Sequence, residues 1–397
     1  MLNEKGQREL AYIVKVDSIS RIEGAERVEL AIVGGWTIMV KKGQFAPGDY
    51  AIYFEIDSKV PKKAPFEFLE PKGYKVKTQK YFKGTVISQG LLMGLEDFED
   101  APWKDEIKKK LAAGENIEHI FLTDALGVKY SVEEDNQRKA NSADKYKVMA
   151  QRRPNIFKKS WARWMMKREW GRKVMFFFFG KKKDKKSAWP DWVVKTDEER
   201  VQNIPHILKE DTTWIATEKV DGSSATYTVK KRGHKWDFYV CSRNVVQMDM
   251  EQSCYYDSNI YWEMAIKYGI KNKLIELAEF YNADWVTLQG EIYGLGVQRR
   301  DYSLLYKDFK AFNLIVPGLG RFNPIEMTRV LAPKRIPCVD IVSTDFQMPE
   351  TVAELLEMAK GESKIDGGAR EGLVFRSVDG IKSFKAVDNE FLMKYHG

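Results

Sequence analysis

The sequence predicts an α+β protein in which a small N-terminal β-barrel precedes a larger mixed α/β domain. Three observations carry that expectation. Short runs rich in β-branched and aromatic residues crowd the first 95 positions, separated by Gly, Pro and Asp turns. Beyond residue 190, longer strand-like runs flank one helix-period stretch. A chain of 397 residues that is 44% apolar has room for two or three domains with real cores.

The barrel is assigned to residues 1–105. "AYIVKVDSIS", "VELAIVGGWTIMVKK" and "DYAIYFEIDSKV" read as strands broken by turns such as "FAPGD", and residues 73–95 supply more short strands. About five such strands suit a small barrel that contacts nucleic acid through a basic, aromatic face. Residues 106–190 form a linker of different character. Between 151 and 190 there are 14 Lys or Arg against Glu169 and Asp184, a local net charge of +12, so the rest of the chain is mildly acidic although the whole carries +8. Trp161, Trp164, Trp170 and Trp189 are interleaved with that charge. Helical spacing puts Phe157, Trp161 and Trp164 or Met165 on one stripe. Either the stripe packs on the protein beneath a solvated basic face, or the cations track a phosphate backbone. An anionic membrane surface is a third, weaker reading. Residues 191–397 form the mixed α/β domain. "TTWIATEKV" and "SATYTVKK" read as a hairpin, followed by "KWDFYVCSRN", a helical pattern over 259–282, and strand candidates "DWVTLQGEIYG", "DFKAFNLIV", "REGLVFRSV" and "GIKSFKAV".

Composition excludes several classes. Cys241, Cys254 and Cys338 lie far apart, and the four histidines do not cluster, so neither a disulfide framework nor a structural zinc site is expected. The charged opening "MLNEKGQREL" does not read as a signal peptide, and no segment approaches the roughly 20 apolar residues of a spanning helix. A cytoplasmic protein without a membrane partner is expected, in the host cytoplasm if the source is a phage or virus. The net positive charge favours an anionic partner.

One short stretch focuses the chemistry. In "TEKVDGSSATYTV", a strand-like run ends at Lys219 and the chain turns on Asp221-Gly222. After it come "CSRN" (241–244), "LQGEIYG" (288–294), "KAFNLI" (310–315), "EGLVFR" (371–376) and "SFKAV" (383–387), each placing a charged or aromatic residue in or beside a strand. These six blocks, in this order, resemble the covalent nucleotidyltransferases, the superfamily of ATP-dependent polynucleotide ligases and capping enzymes. "IEGAERVELAIVGGW" and "VKKGQFAPGDYAIYFEIDS" resemble the OB-fold module at the N-terminus of one RNA ligase branch, and "KTDEERVQNIP" (195–205) is similar to that branch too.

The resemblance implies an ATP-dependent RNA ligase. Lys219 would attack the α-phosphate of ATP to form lysyl-AMP, AMP would pass to an RNA 5′-phosphate, and a 3′-hydroxyl would then displace it. A free lysine is almost wholly protonated at neutral pH, so nearby cations, a divalent metal and Lys385, are expected to lower its pKa. Asp221, Glu291 and Glu371 would position Mg2+ or Mn2+, directly or through its waters. Arg243 and Lys385 would hold phosphates. Phe312 would stack on adenine, Glu218 would define the purine edge, Gly222 would shape the turn, and Arg200 would reach the nucleotide from a preceding helix. Two departures stand out: Asn313 follows Phe312 where related ligases often carry aspartate, and Ser383 replaces a lysine often found two before Lys385, with Lys382 as a substitute. A DNA ligase or capping enzyme usually places an OB domain after the last block, yet only 12 residues follow Lys385. A non-catalytic RNA-binding protein on a ligase scaffold is the other alternative, and the intact set of Lys219, Asp221, Glu291, Glu371 and Lys385 argues against it. No obligate protein partner is implied.

Overall fold

The structure, a computed structural model, describes residues 8–82, 86–98, 101–130, 154–179, 189–193, 197–243, 246–247 and 259–395. Two three-stranded antiparallel sheets open the chain. Ala11–Lys15, Tyr50–Phe54 and Leu91–Gly94 form one; Ser18–Arg21, Val28–Val33 and Trp36–Lys41 form the other. Residues alternate between buried and half-buried along Val28–Val33, and the pattern continues through Trp36–Val40. That alternation turns Ala31, Val33, Trp36, Ile38 and Val40 onto Tyr12 and Tyr53. Packing carries this unit past residue 105. Ile107 of the helix Trp103–Ala112, with Ile117, Leu122, Leu126 and Val128, shares a core with Ile52 and Phe54. Lys129–Tyr130 then pairs with Ser58–Lys59. The apolar residues after 105 are too sparse to announce this in sequence.

Residues 154–179 form three short helices, Pro154–Phe157, Ser160–Met166 and Glu169–Phe179, around a small core of Phe157, Ala162, Met166 and Met175. The expected continuous stripe is split, because Lys159 is extended (φ −70°, ψ 141°) and breaks the helix after Phe157. Phe157 is buried while Trp161 and Trp164 are exposed. The lysines of the run 181–186 lie outside the described residues.

Two sheets build the C-terminal domain. The five-stranded sheet has the order Glu199–Arg200, Ser383–Val387, Gly372–Ser377, Trp214–Glu218, Ile341–Phe346. The six-stranded sheet runs Val246–Gln247, Lys235–Ser242, Ser223–Arg232, Trp285–Gly294, Lys307–Val316, Gly320–Arg321. The hairpin expected around Lys219 does not form. Trp214–Glu218 pairs with Gly372–Ser377, whereas Ser223–Arg232 pairs with Lys235–Ser242 and Trp285–Gly294. All five residues of Trp214–Glu218 are buried, as suits a strand inside a sheet rather than one arm of a rim hairpin. The lysine therefore sits where the chain passes from one sheet to the other. The helical pattern over 259–282 is two helices, Ile260–Lys267 and Ile270–Phe280, separated at Gly269 in the left-handed region (φ +57°). Their buried faces pack against the six-stranded sheet with Leu288, Phe309 and Leu314.

The two units touch. The turn before Trp36 approaches the helix Val352–Ala359, so a Cβ at Gly35 would lie 2.8 Å from Val352 and 3.4 Å from Gln202. Arg200 lies over the Trp36 ring at 5.6 Å, and the Lys80 ammonium donates to the Leu392 carbonyl at 2.9 Å.

Candidate active site

Lys219 owes its position to the passage between sheets. Its N–H donates to the Gly372 carbonyl at 3.0 Å, continuing the ladder of the five-stranded sheet, and Val220–Gly222 then deliver the chain to Ser223. A Cβ on Gly222 would stand 2.2 Å from the Ile292 carbonyl oxygen and 3.0 Å from the Glu291 side chain, so only glycine fits without displacing the neighbouring strand. The turn is held from outside as well. The Asp221 N–H donates to the Tyr302 hydroxyl at 2.6 Å, and the Gln298 amide donates to the Gly222 carbonyl at 3.0 Å. Arg300, in the same loop, makes a buried ion pair with Asp366 at 2.7 Å, five residues before Glu371. Sequence reading missed Gln298, Arg300 and Tyr302, although they follow the "LQGEIYG" block directly.

A cavity of about 320 Å3 opens between the sheets. Glu218, Lys219, Gly222, Arg243, Glu291, Phe312 and Lys385 all line it, drawn from strands far apart in sequence. The Lys219 ammonium is 2.5 Å from a Glu371 carboxylate oxygen. Burial alone would lower the lysine's pKa, but the carboxylates of Glu371, Glu291 and Asp221 outweigh it and hold the group above its ordinary value. The lysine is thus held charged in an ion pair with Glu371, and the expected lowering of its pKa rests on a divalent cation beside these carboxylates. Lys385 is pushed the other way, down to about 8, by burial and by the charges of Lys219 and Arg200. Glu291 is pushed up to about 8 by burial; Lys219 opposes that shift, and Glu371 and Asp221 add to it.

Three carboxylates crowded around one lysine are a donor set for a hard divalent cation. Among the described residues, however, no group of three or more His, Cys, Asp or Glu side chains is arranged to hold a metal ion by itself. Asp221, Glu291 and Glu371 all act on the Lys219 ammonium, and a cation drawn to them would complete its shell with water and a ligand's phosphate oxygens, the usual manner for Mg2+.

The remaining predicted residues divide. Arg243 is exposed at the cavity wall and pairs with Asp197 at 2.7 Å; the neighbouring Asn244 lies outside the described residues. Phe312 is half-buried, packs on the core and lines the cavity, and its carbonyl accepts from Arg376 at 2.9 Å. Arg376 is 3% exposed and also pairs with Glu198 at 3.1 Å. Both Arg376 and Glu198 line the cavity and went unread, although each stands inside a quoted block. Glu218 is buried, with its oxygens accepting from the Ser363 hydroxyl at 2.5 Å and the Lys364 N–H at 2.7 Å. Its carboxylate thus anchors the loop before Glu371 instead of presenting a free purine-reading edge. Arg200 is on a two-residue strand rather than a helix, paired with Lys385 across the ladder, and does not line the cavity. Lys382 points away to Glu210 at 2.5 Å and also lies off the cavity. The neighbouring Ser383 hydroxyl instead donates to Glu198 and accepts from Arg321 at 2.9 Å. Asn313 is fully buried and donates to Gln289 at 3.0 Å, away from the cavity.

Comparison with known proteins matches this architecture. The RNA ligase family model covers residues 212–396, and an OB-fold domain model covers residues 10–95. Among solved structures, a variant of Naegleria gruberi RNA ligase with ATP and Mn aligns over 98% of this chain and 100% of that one, at 25% identity and a TM-score of 0.63. A second variant with AMP and Mn aligns over 98% and 99%, at 26% identity and a TM-score of 0.63. The same ligase with pyrophosphate aligns equally widely at 26% identity and a TM-score of 0.61. No curated protein is similar enough to count as a match.

Proposed function

Because this chain belongs to the ATP-dependent RNA ligases that carry an N-terminal OB-fold domain, we propose that it joins an RNA 5′-phosphate to an RNA 3′-hydroxyl through lysyl-AMP and adenylylated RNA. The observation that carries the reading is the Lys219–Glu371 ion pair, whose lysine lines the inter-sheet cavity. In the resting site the lysine is protonated, which keeps it from reacting. Binding of ATP brings its phosphates against Lys385 and Arg243, and Phe312 offers a face for the adenine. Loss of the ammonium proton, with Glu371 as the nearest acceptor, frees the amine lone pair. The new Nζ–phosphorus bond forms as the bond to pyrophosphate breaks. An RNA 5′-phosphate oxygen then displaces the lysine, which regains its proton, and AMP finally leaves as the 3′-hydroxyl oxygen bonds to phosphorus and its proton passes to the departing AMP phosphate.

Asp221, Glu291 and Glu371 would hold Mg2+ or Mn2+ together with water and phosphate oxygens, and the cation would neutralise charge on the triphosphate. This chain's own contribution is placement. Tyr302 and Gln298 fix the turn, Gly222 lets the two strands approach, and the Arg376–Glu198 pair sets the backbone of Phe312. We assign the joining of broken RNA as the biological task and a cytoplasmic setting. No helix among the described residues is long and apolar enough to cross a membrane.

Incubation with ATP labelled at the α-phosphate, followed by a denaturing gel, tests the first step. Radiolabel should travel with the protein and should move to RNA when a 5′-phosphorylated strand is added. Label that joins 5′-hydroxyl RNA equally well, or that never becomes covalent, would overturn the mechanism.

A further inference from the structure

The helical segment 154–179 is not used by the joining chemistry, yet it carries an unusual surface. Its helices Ser160–Met166 and Glu169–Phe179 pack around Ala162, Met166 and Met175, leaving other large side chains outside. Trp161 is 47% exposed, Trp164 51%, Trp170 54%, Phe177 77% and Phe178 69%. Aromatic groups left in water at this density mark an interaction surface. The same segment carries Lys158, Lys159, Arg163, Lys167, Arg168, Arg172 and Lys173 against the single acid Glu169, which is paired with Lys173 at 3.0 Å. A stacking arrangement is already present, because the Arg168 guanidinium sits 3.7 Å over the Trp164 ring and Trp164 meets Trp170 edge-on at 6.1 Å.

We propose that this segment is a second RNA-binding site, a stacking platform for unpaired nucleotides flanking the joint. The proposal rests on the RNA-joining reading and extends it to a surface outside the inter-sheet cavity. Charge complementarity selects the partner: a polyanion with exposed rings satisfies both the cations and the tryptophans. A lipid surface would be served by an apolar face separate from a charged one. Here the Arg168 guanidinium lies 3.7 Å over the Trp164 ring, which meets Trp170 edge-on, so a cation and two rings share one surface.

The test uses the full chain and fluorescein-labelled oligouridine. Combined replacement Trp161→Ala, Trp164→Ala and Trp170→Ala should weaken binding by at least about fivefold per tryptophan, the lower end of base–aromatic stacking. The corresponding Trp→Phe set keeps a ring at each position and should retain most of the affinity. Replacing Lys158, Lys159, Lys167 and Lys173 by Gln should reduce the log–log salt slope by up to about 2.8, at ~0.7 per single-strand phosphate contact. Lysyl-AMP labelling should be unchanged in every variant. An unchanged affinity in the alanine set would overturn the proposal. So would retained RNA affinity accompanied by lost binding to phosphatidylserine-containing vesicles, which would make the surface a lipid contact. Labelling reports on the joining reading and oligouridine affinity on the platform, so each can fail alone.

Discussion

Replacing Lys385 by methionine should stabilise the nucleotide-free protein while disabling it. Lys385 lies on the strand Ser383–Val387 beside the cavity, and burial together with Lys219 and Arg200 lowers its pKa from 10.5 to about 8. A lysine whose folded pKa lies below its unfolded value binds its proton less tightly in the folded state, so its charge opposes folding. That cost is fully present below pH 8 and shrinks as pH rises from 8 towards 10.5, where both states are neutral. A difference of about 2.5 pK units corresponds to an upper estimate of about 3 kcal/mol, at ~1.36 kcal/mol per unit. Methionine keeps much of the stem's packing and removes the charge. Urea unfolding at pH 7 should therefore show the variant more stable by about 1–3 kcal/mol, and the gain should vanish by about pH 10.5. ATP with a divalent metal should raise the midpoint of the unsubstituted chain but not that of the variant. A variant less stable at pH 7, or a gain independent of pH, would refute the electrostatic account of this lysine.

Lys219→Ala should abolish covalent AMP labelling, at a cost in stability because it strips the buried Glu371 carboxylate of its cation, and Lys219→Arg should fail to label as well, since guanidinium stays protonated; surviving label in either would mean another nucleophile. Gly222→Ala should lower thermal stability and labelling together, because its Cβ would stand 2.2 Å from the Ile292 carbonyl oxygen; full activity would show that the strands can separate freely. Tyr302→Phe removes the acceptor of the Asp221 N–H and should cost about 1–3 kcal/mol in stability, as for a buried donor left unpaired. Single-turnover labelling of the Tyr302→Phe variant should slow, and an unchanged rate would show that the turn does not depend on this hydrogen bond.

Much of the fold was legible because it is local. Alternation in "VELAIV" and "WTIMVK", and the long runs at 285–294 and 307–316, announced strands that the structure contains. Pairing was less legible. "TTWIATEKV" and "SATYTVKK" have the length, turn residues and composition of a hairpin, but their hydrogen-bond partners lie as far as residue 377, and nothing between the two runs records that. The cavity-lining set was mostly legible because several of its residue types recur in the quoted blocks. Lys382 and Lys385 could not be separated by type, since the difference is which face of a strand and turn each occupies. Arg376 and Glu198 were missed for the opposite reason. Their task is to hold a backbone carbonyl, so their identities advertise no reaction.

The contact between the two units bears on how such proteins can be recombined. Gly35 leaves no room for a side chain against Val352, and Arg200, whose charge is felt by Lys385, lies over the ring of Trp36. An N-terminal domain transplanted from another RNA ligase would arrive with its own residues at these positions. It would need a small residue where Gly35 meets the helix Val352–Ala359 and a flat ring to cover Arg200, or it would tilt and uncover the arginine. The two units are thus matched parts, and chimeras made by exchanging the N-terminal domain should recover activity only when both contacts travel with it.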